Sequence, residues 1–409
     1  MTHIWQGLRS GEWLTAARMR GYSLILLALF TLVFAGWIAA SDRLIDRNGR
    51  PIGTDFVNVY AAGALTWQGR AADAYSPKLQ RAAEEALFEG RRLPFYGWHY
   101  PPFFFAVAVL VAALPYIWGL AAWLIASLAA YLAVMRAILP RPETWLVAAA
   151  FPAVLVNIGH GQNGFLTAAL FGGAMLWLDR RPWLAGVLIG LLAYKPQFGV
   201  LIPIALVVSG RWRTIGAATA TVAVLVAVSF AAMGSGIWQA FFDSMNFTQT
   251  IILEQGATGW HKIQSVFAAA RMWDASIQTA YAAQAALFAV LAATLAWLWH
   301  SDAAFDLKIA ALAVASLLAT PYVMDYDLMV LAVAIGFFAR HGLRQGFRDF
   351  EISLLAAAWI APLLSRIIAD ATGAPLGLMV LLALYGAVLR RAAQDRADIT
   401  IAARGVAQA

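Results

Sequence analysis

The chain has 409 residues, of which 62% are hydrophobic and 12% charged, with a formal net charge of +7 and no cysteine; its mean hydropathy is +0.70. So little polar surface excludes a soluble globule of this size, and the missing thiols exclude disulfides, thiolate nucleophiles and thiolate metal sites together. The arginines form short clusters beside apolar runs, as positive-inside anchoring requires, with no extended basic face; a lipid bilayer is the expected partner and nucleic acid is not.

Arg9, Arg18 and Arg20 precede the first apolar run, 22–40, which places this end in the cytoplasm. The run is too long for the apolar core of a signal peptide and no small-residue cleavage pattern follows it, so a retained helix is expected. It delivers a polar loop, roughly 41–100, to the outer face. That loop holds Asp55, Asp73, Tyr75, Glu84, Glu85, Arg91, Arg92 and His99. Within it, 78–90 combines good helix formers with carboxylates on one side and predicts a short helix along the membrane surface.

Apolar runs follow at 102–114, 117–139, 145–157, 164–178, 183–194 and 198–209. Several are shorter than about 17 residues, the lower end for a straight span. Between them, Gly159-His160-Gly161-Gln162-Asn163-Gly164 and Tyr194-Lys195-Pro196-Gln197 put polar, helix-breaking residues into apolar sequence. Non-helical backbone at membrane depth is tolerated only where protein or water surrounds it, so these breaks are expected to line a cavity. If every run from 102 to 178 crossed, Asp179-Arg180-Arg181 would face outside; either one crossing is incomplete or that turn breaks the charge rule.

Arg211 and Arg213 then precede 214–233, and a second outer loop, 234–277, contains Asp243, Glu254, His261, Lys262, Arg271 and Asp274. Runs at 280–299, 305–320, 328–339, 352–369 and 375–389 alternate so that 340–344 and 390–391 lie inside. The runs lack the apolar-polar alternation of outer-membrane strands. The expectation is an all-α polytopic membrane protein of about 11–13 transmembrane helices. One membrane domain covers 1–390, and 391–409 is a short, frayed cytoplasmic tail.

Asp55-Phe56 with Tyr60-Ala61-Ala62-Gly63, then Ala74-Tyr75-Ser76-Pro77, Tyr100-Pro101-Pro102-Phe103, Gly161-Gln162-Asn163, and Ala185-Gly186-Val187-Leu188-Ile189-Gly190 ahead of Lys195-Pro196 form an ordered series. In this order and spacing the series resembles glycosyltransferase family 87, which contains polyprenyl-phosphate-mannose-dependent mannosyltransferases and belongs to the GT-C superfamily of membrane glycosyltransferases. The second half matches more loosely, through Lys262-Ile263-Gln264-Ser265-Val266-Phe267 and Thr320-Pro321-Tyr322. Similar members place histidines shortly after a Ser-Pro pair; here Thr320-Pro321 is followed by Asp325-Tyr326-Asp327, so a histidine role there has no matching residue.

The resemblance implies a GT-C-type bundle in the bacterial inner membrane with its active site on the periplasmic face. A sugar, mannose or another hexose or pentose, passes with inversion from a polyprenyl-phosphate donor to a glycolipid or polysaccharide acceptor. The acidic residue near the end of the first helix is the general base, here Asp55. Lys262, Lys195 and His261 are candidates for the donor phosphate. Tyr60, Tyr75, His99, Tyr100, His160, Gln162, Asp325 and Asp327 are candidates for sugar or acceptor.

Each has a plainer reading beside it. Asp55 caps a short helix; Lys195 snorkels to an interface; Lys262 and His261 are solvated loop residues; His160 and Gln162 satisfy each other; Tyr100-Pro101-Pro102 starts a helix. Asp325-x-Asp327 could hold a divalent cation, but the signal is weak, and neither metal nor cofactor is expected. The competing class is a secondary transporter or lipid-linked sugar flippase; concentration of the acids in outward loops rather than at a midplane favours the enzyme.

Overall fold

A computed structural model describes the backbone of residues 2–408 and the side chains of residues 3–398. Among them every regular element is helical, and only isolated β-bridges occur outside the helices. Seven helices are long and apolar enough to cross a membrane, and four shorter apolar segments accompany them. The chain is thus an all-α polytopic membrane protein.

Its path follows from which charges meet. Short α1 (Thr2–Ser10) precedes α2 (Ala16–Ala39). Arg20, in the first turns of α2, pairs with Glu143 at the start of α7 (Glu143–Ala149). Pro152 restarts the chain as α8 (Pro152–His160), which carries it away from that end. After α9 (Gly164–Trp177), Asp179 lies 2.7 Å from Arg211. Arg340 pairs with Asp306 at the start of α16 (Phe305–Leu318), and Arg391 with Glu351 at 2.8 Å. Together these pairs define one basic end of the bundle.

The opposite end is defined by Asp55. Here α3 (Phe56–Trp67) and α5 (Phe105–Ala112) pack together, with α4 (Pro77–Ala86) against α3. Tyr60 on α3 donates to the Leu114 carbonyl, while Tyr116, opening α6 (Tyr116–Ile138), donates to that of Ile52, both at 2.8 Å. At the other side of α5, Tyr75 donates to the Tyr100 carbonyl at 2.7 Å. The stretch 102–114 therefore starts and finishes at the Asp55 end and does not cross, which is one of the two alternatives left open by the charge rule.

This resolves the sidedness of Asp179-Arg180-Arg181, which falls at the basic end with Arg211. The chain leaves that end in α10 (Pro182–Leu191) and returns to it in α11 (Ile202–Val208), since Arg211 also donates to the Leu178 carbonyl at 3.3 Å. Ten residues of helix rise about 15 Å, half of a hydrocarbon core of about 30 Å. The pair is a re-entrant hairpin whose tip, 192–199, is buried at Leu192, Tyr194, Lys195 and Phe198, as irregular backbone at membrane depth must be.

From the basic end α12 (Trp212–Met233) leads to α13 (Ser235–Phe247) and, through an irregular stretch, α14 (Val266–Met272). Then α15 (Ile277–His300), α16, α17 (Met329–Gln345), α18 (Glu351–Thr372) and α19 (Leu376–Gln408) alternate. Central α16 is buried from Ile309 through Leu318, whereas α2 exposes Leu24, Ile25, Leu32 and Ile38 at its periphery. Exposed tryptophans stand near both ends, Trp145, Trp183 and Trp212 at the basic one and Trp67, Trp118 and Trp273 at the other, as aromatic belts do.

Two further expectations change. The segment from 391 does not begin as a frayed tail: α19 runs on through it, and Arg391 is 2% exposed between Glu351 and Asp395. The rest of that tail, from 399, lies outside the described side chains. Helix α4 does not present its acids to solvent alone, because Gln80 and Glu84 are buried and Gln80 donates to the Asn58 carbonyl at 3.1 Å.

Candidate active site

Gly53 has φ +75° and begins a turn that ends in Asp55, the residue before α3. The Asp55 side chain makes no capping bond to that helix. Its Oδ2 instead accepts a hydrogen bond from Gln162 Nε2 at 2.7 Å, and its Oδ1 lies 3.9 Å from His160 Nδ1, which is bonded to Thr54 Oγ1 at 2.8 Å. Gln162 and His160 thus serve the Asp55 turn rather than each other. Gly161 lets them reach it: φ is +61°, and a Cβ there would stand 2.6 Å from Phe56 Cβ. Only glycine fits that left-handed position and that contact.

The same break is tied to the segment after α16. Asn157 donates to the Tyr326 carbonyl at 2.9 Å and accepts from the Gly164 amide at 2.8 Å. Asn163 donates to the Tyr100 hydroxyl at 2.6 Å. Tyr326 faces the His160 ring across 6.3 Å between centroids.

Lys195, at the tip of the re-entrant hairpin, donates to Asp327 Oδ1 at 2.6 Å, with side-chain exposures of 7% and 1%. The other Asp327 oxygen accepts from the Met324 amide at 3.0 Å. Lys195 neither snorkels to an interface nor stands free for a phosphate; it fixes the 322–328 segment. Asp325 accepts from the Tyr326 amide at 2.9 Å and stands 3.7 Å from Arg366 on α18. Among the described residues no group of three or more His, Asp or Glu side chains is arranged to hold a metal ion.

A second segment zips onto this one. The Gln264 backbone N–H donates to the Val323 carbonyl at 2.7 Å, Ser265 Oγ donates to that of Pro321 at 2.8 Å, and Ile263 bridges Met324. The adjoining turn, Trp260–Lys262, packs against α18, where Asp370 lies 3.6 Å from His261. Burial holds the Lys262 ammonium below its usual range; Arg366 adds to this, while Asp325 and Asp55 pull the other way. Burial likewise lowers His261.

The remaining candidates fall around these groups. His99 is bonded through Nδ1 to Thr248 Oγ1 at 2.7 Å, and burial pushes it down to about 4 against the opposing pull of Asp55, so it is neutral near pH 7. Tyr100 supports Asn163. Tyr60 and Tyr75 are spent on the Leu114 and Tyr100 carbonyls and pack among Phe56, Tyr116, Phe105 and Phe241, outside the cluster. Arg366 and Asn157 joined no expectation from sequence, and Asn163 entered only as part of the Gly161-Gln162-Asn163 break and motif. For Arg366 a signal existed: an ionisable residue inside the apolar run 352–369 is costly unless it has a task.

The arrangement gives one carboxylate, Asp55, with a single side-chain hydrogen bond and 23% exposed, within the field of Lys262, and Arg366 3.7 Å from Asp325, at the end of a membrane bundle. The sequence model of glycosyltransferase family 87 matches residues 98–321, more than half of the chain. No curated protein and no solved structure matches it. The matched stretch contains Gln162, Lys195 and Lys262, and Asp55 lies upstream of it, held by Gln162. The chain belongs to glycosyltransferase family 87 and is a multi-pass membrane glycosyltransferase.

Proposed function

We propose that the protein transfers a hexose or pentose from a polyprenyl-phosphate donor to a hydroxyl of a glycolipid or polysaccharide, in one inverting displacement with Asp55 as general base. The acceptor hydroxyl gives its proton to Asp55 as its oxygen bonds to the anomeric carbon. The bond from that carbon to the phosphate oxygen breaks, and polyprenyl phosphate leaves with the electron pair. Gln162 orients the carboxylate through Oδ2, leaving Oδ1, near His160, to receive the proton. Lys262 offers charge to the departing phosphate. Lys195 and Asp327 position the wall between them. No step requires a metal or cofactor.

The observation that carries this reading is the Asp55 carboxylate, free of capping duty and held by one hydrogen bond. Purified protein in nanodiscs, given a defined polyprenyl-phosphate sugar and a lipid acceptor, is expected to release polyprenyl phosphate and form a glycoside of inverted anomeric configuration. Retention of configuration, or label accumulating in vesicles without transfer, overturns it.

The clustering of arginines at the basic end supports a cytoplasmic position for that end and a periplasmic one for Asp55, in a bacterial inner membrane. The chain has no native cysteine. Exposed Asn48→Cys should react with an impermeant thiol reagent in intact spheroplasts, and exposed Gln345→Cys only after lysis; the reverse pattern rejects this orientation.

A further inference from the structure

Arg366 lies inside α18, about 9 Å along the axis from Thr372 at its Asp55 end. A guanidinium carries five N–H donors and does not give up its charge, so within an apolar span it needs water or an anion. Here it has neither hydrogen bond nor close pair among the described residues. The carboxylate paired with it is Asp325 at 3.7 Å, beyond hydrogen-bond distance, and its side chain is 36% exposed.

Lys262 is in a similar position. Its turn packs on the face of α18 that carries Arg366 and, one helical turn on, Asp370, which engages His261. The Lys262 side chain has no hydrogen bond among the described residues. Lys195, by contrast, is buried and paired with Asp327 at 2.6 Å, so its charge is already balanced. Two open cations and one closed one therefore surround the floor of the site.

We propose that Arg366 binds the donor's lipid phosphate, its guanidinium fork spanning two phosphate oxygens while Lys262 adds a point charge, and that Asp325 keeps Arg366 in place when no donor is bound. The inference rests on the polyprenyl-phosphate reading above and adds the residue that recognises the leaving group. As the carbon–oxygen bond breaks, charge accumulates on the phosphate, where a bidentate fork is most effective.

The test is direct binding of farnesyl phosphate, a short-chain analogue of the leaving group, together with the donor KM, in nanodiscs. Arg366→Gln is expected to weaken farnesyl phosphate binding and raise KM by about 10–100-fold, and Arg366→Lys, which keeps the charge without the fork, by less. The double variant Asp325→Asn with Arg366→Gln removes both charges and so guards against an orphaned carboxylate. If Arg366 served only to neutralise Asp325, the double variant would regain parental binding; a phosphate ligand predicts that it stays as weak as Arg366→Gln. Parental binding by Arg366→Gln, or recovery in the double variant, overturns the assignment while leaving Asp55 untouched. Failure of the parent protein itself to bind farnesyl phosphate overturns both this inference and the donor reading.

Discussion

The two ends of the bundle treat buried charge differently. At the basic end the ion pairs close on one another: Arg391 is held between Glu351 and Asp395, each at 2.8 Å, while Asp395 also takes His341 at 2.8 Å and Arg348 at 2.7 Å. At the Asp55 end, Asp55 accepts one side-chain hydrogen bond and Arg366 stands 3.7 Å from the Asp325 carboxylate. Closed networks fix how helices meet, because removing one partner strands the other in a medium that solvates it poorly. Open charges lose that benefit unless a ligand completes them. On the proposed function, the closed Lys195–Asp327 pair at the Asp55 end is framework, and Asp55, Lys262 and Arg366 are machinery.

The comparison can be broken at its closed end. Arg391→Ala strands Glu351, which is 1% exposed, and should cost about 3–5 kcal/mol of stability while transfer per folded molecule is unchanged. Thermal unfolding beside a turnover assay on the monodisperse fraction reads both. A stable Arg391→Ala protein with a large catalytic defect would contradict the division. At the open end the opposite signature is expected: Lys262→Ala should lower transfer about 10–100-fold with little change in melting temperature.

Glu84 sharpens the contrast through pH. Burial pushes its carboxyl up to about 8, with the Tyr96 amide and Gln80 opposing. The folded protein therefore holds a proton that the unfolded chain has lost above about pH 4.5, the ordinary value for Glu, so this group's contribution falls as pH rises toward 8. The slope is up to about 1.4 kcal/mol per pH unit. Glu84→Gln should flatten the stability profile between pH 5 and 8, on the order of three units, and leave transfer at neutral pH unchanged. An equally steep profile in the variant would place the titration elsewhere. The smallest effect is expected at the exposed Arg43–Glu89 pair, where Arg43→Ala should change stability by less than about 1 kcal/mol and transfer not at all, read in the same two assays.

Much of the fold was legible because apolar run length and arginine placement act locally. The runs that became α2, α6, α12, α15 and α18 appear close to where the chain places them. What escaped was the fate of short runs. Nothing in 102–114 says that Tyr60 and Tyr75 hold both its flanks at one end, and residues 56–67, expected as loop, form the buried helix α3 because Val57, Ala61 and Leu65 pack inward.

At the site, Asp55 could be found from its motif, but its partner Gln162 lies 107 positions away and Asp327 lies 132 from Lys195. Such pairings are properties of the assembled bundle, so Lys195 looked like a free cation. Arg366 was within reach of sequence reasoning, as the one basic residue inside an otherwise apolar run at 352–369.

The most direct measurement is the single-turnover rate of Asp55→Asn at saturating donor, in nanodiscs, with farnesyl phosphate binding measured on the same preparation. The amide keeps the shape of the side chain but cannot take the acceptor's proton. A loss of about a hundred to ten thousand fold with binding intact is the expected result, and Asp73→Asn, on an exposed pair with Arg70, should stay within about threefold. A well-folded Asp55→Asn that transfers sugar at the parental rate would contradict the account and leave Asp325 as the carboxylate to examine.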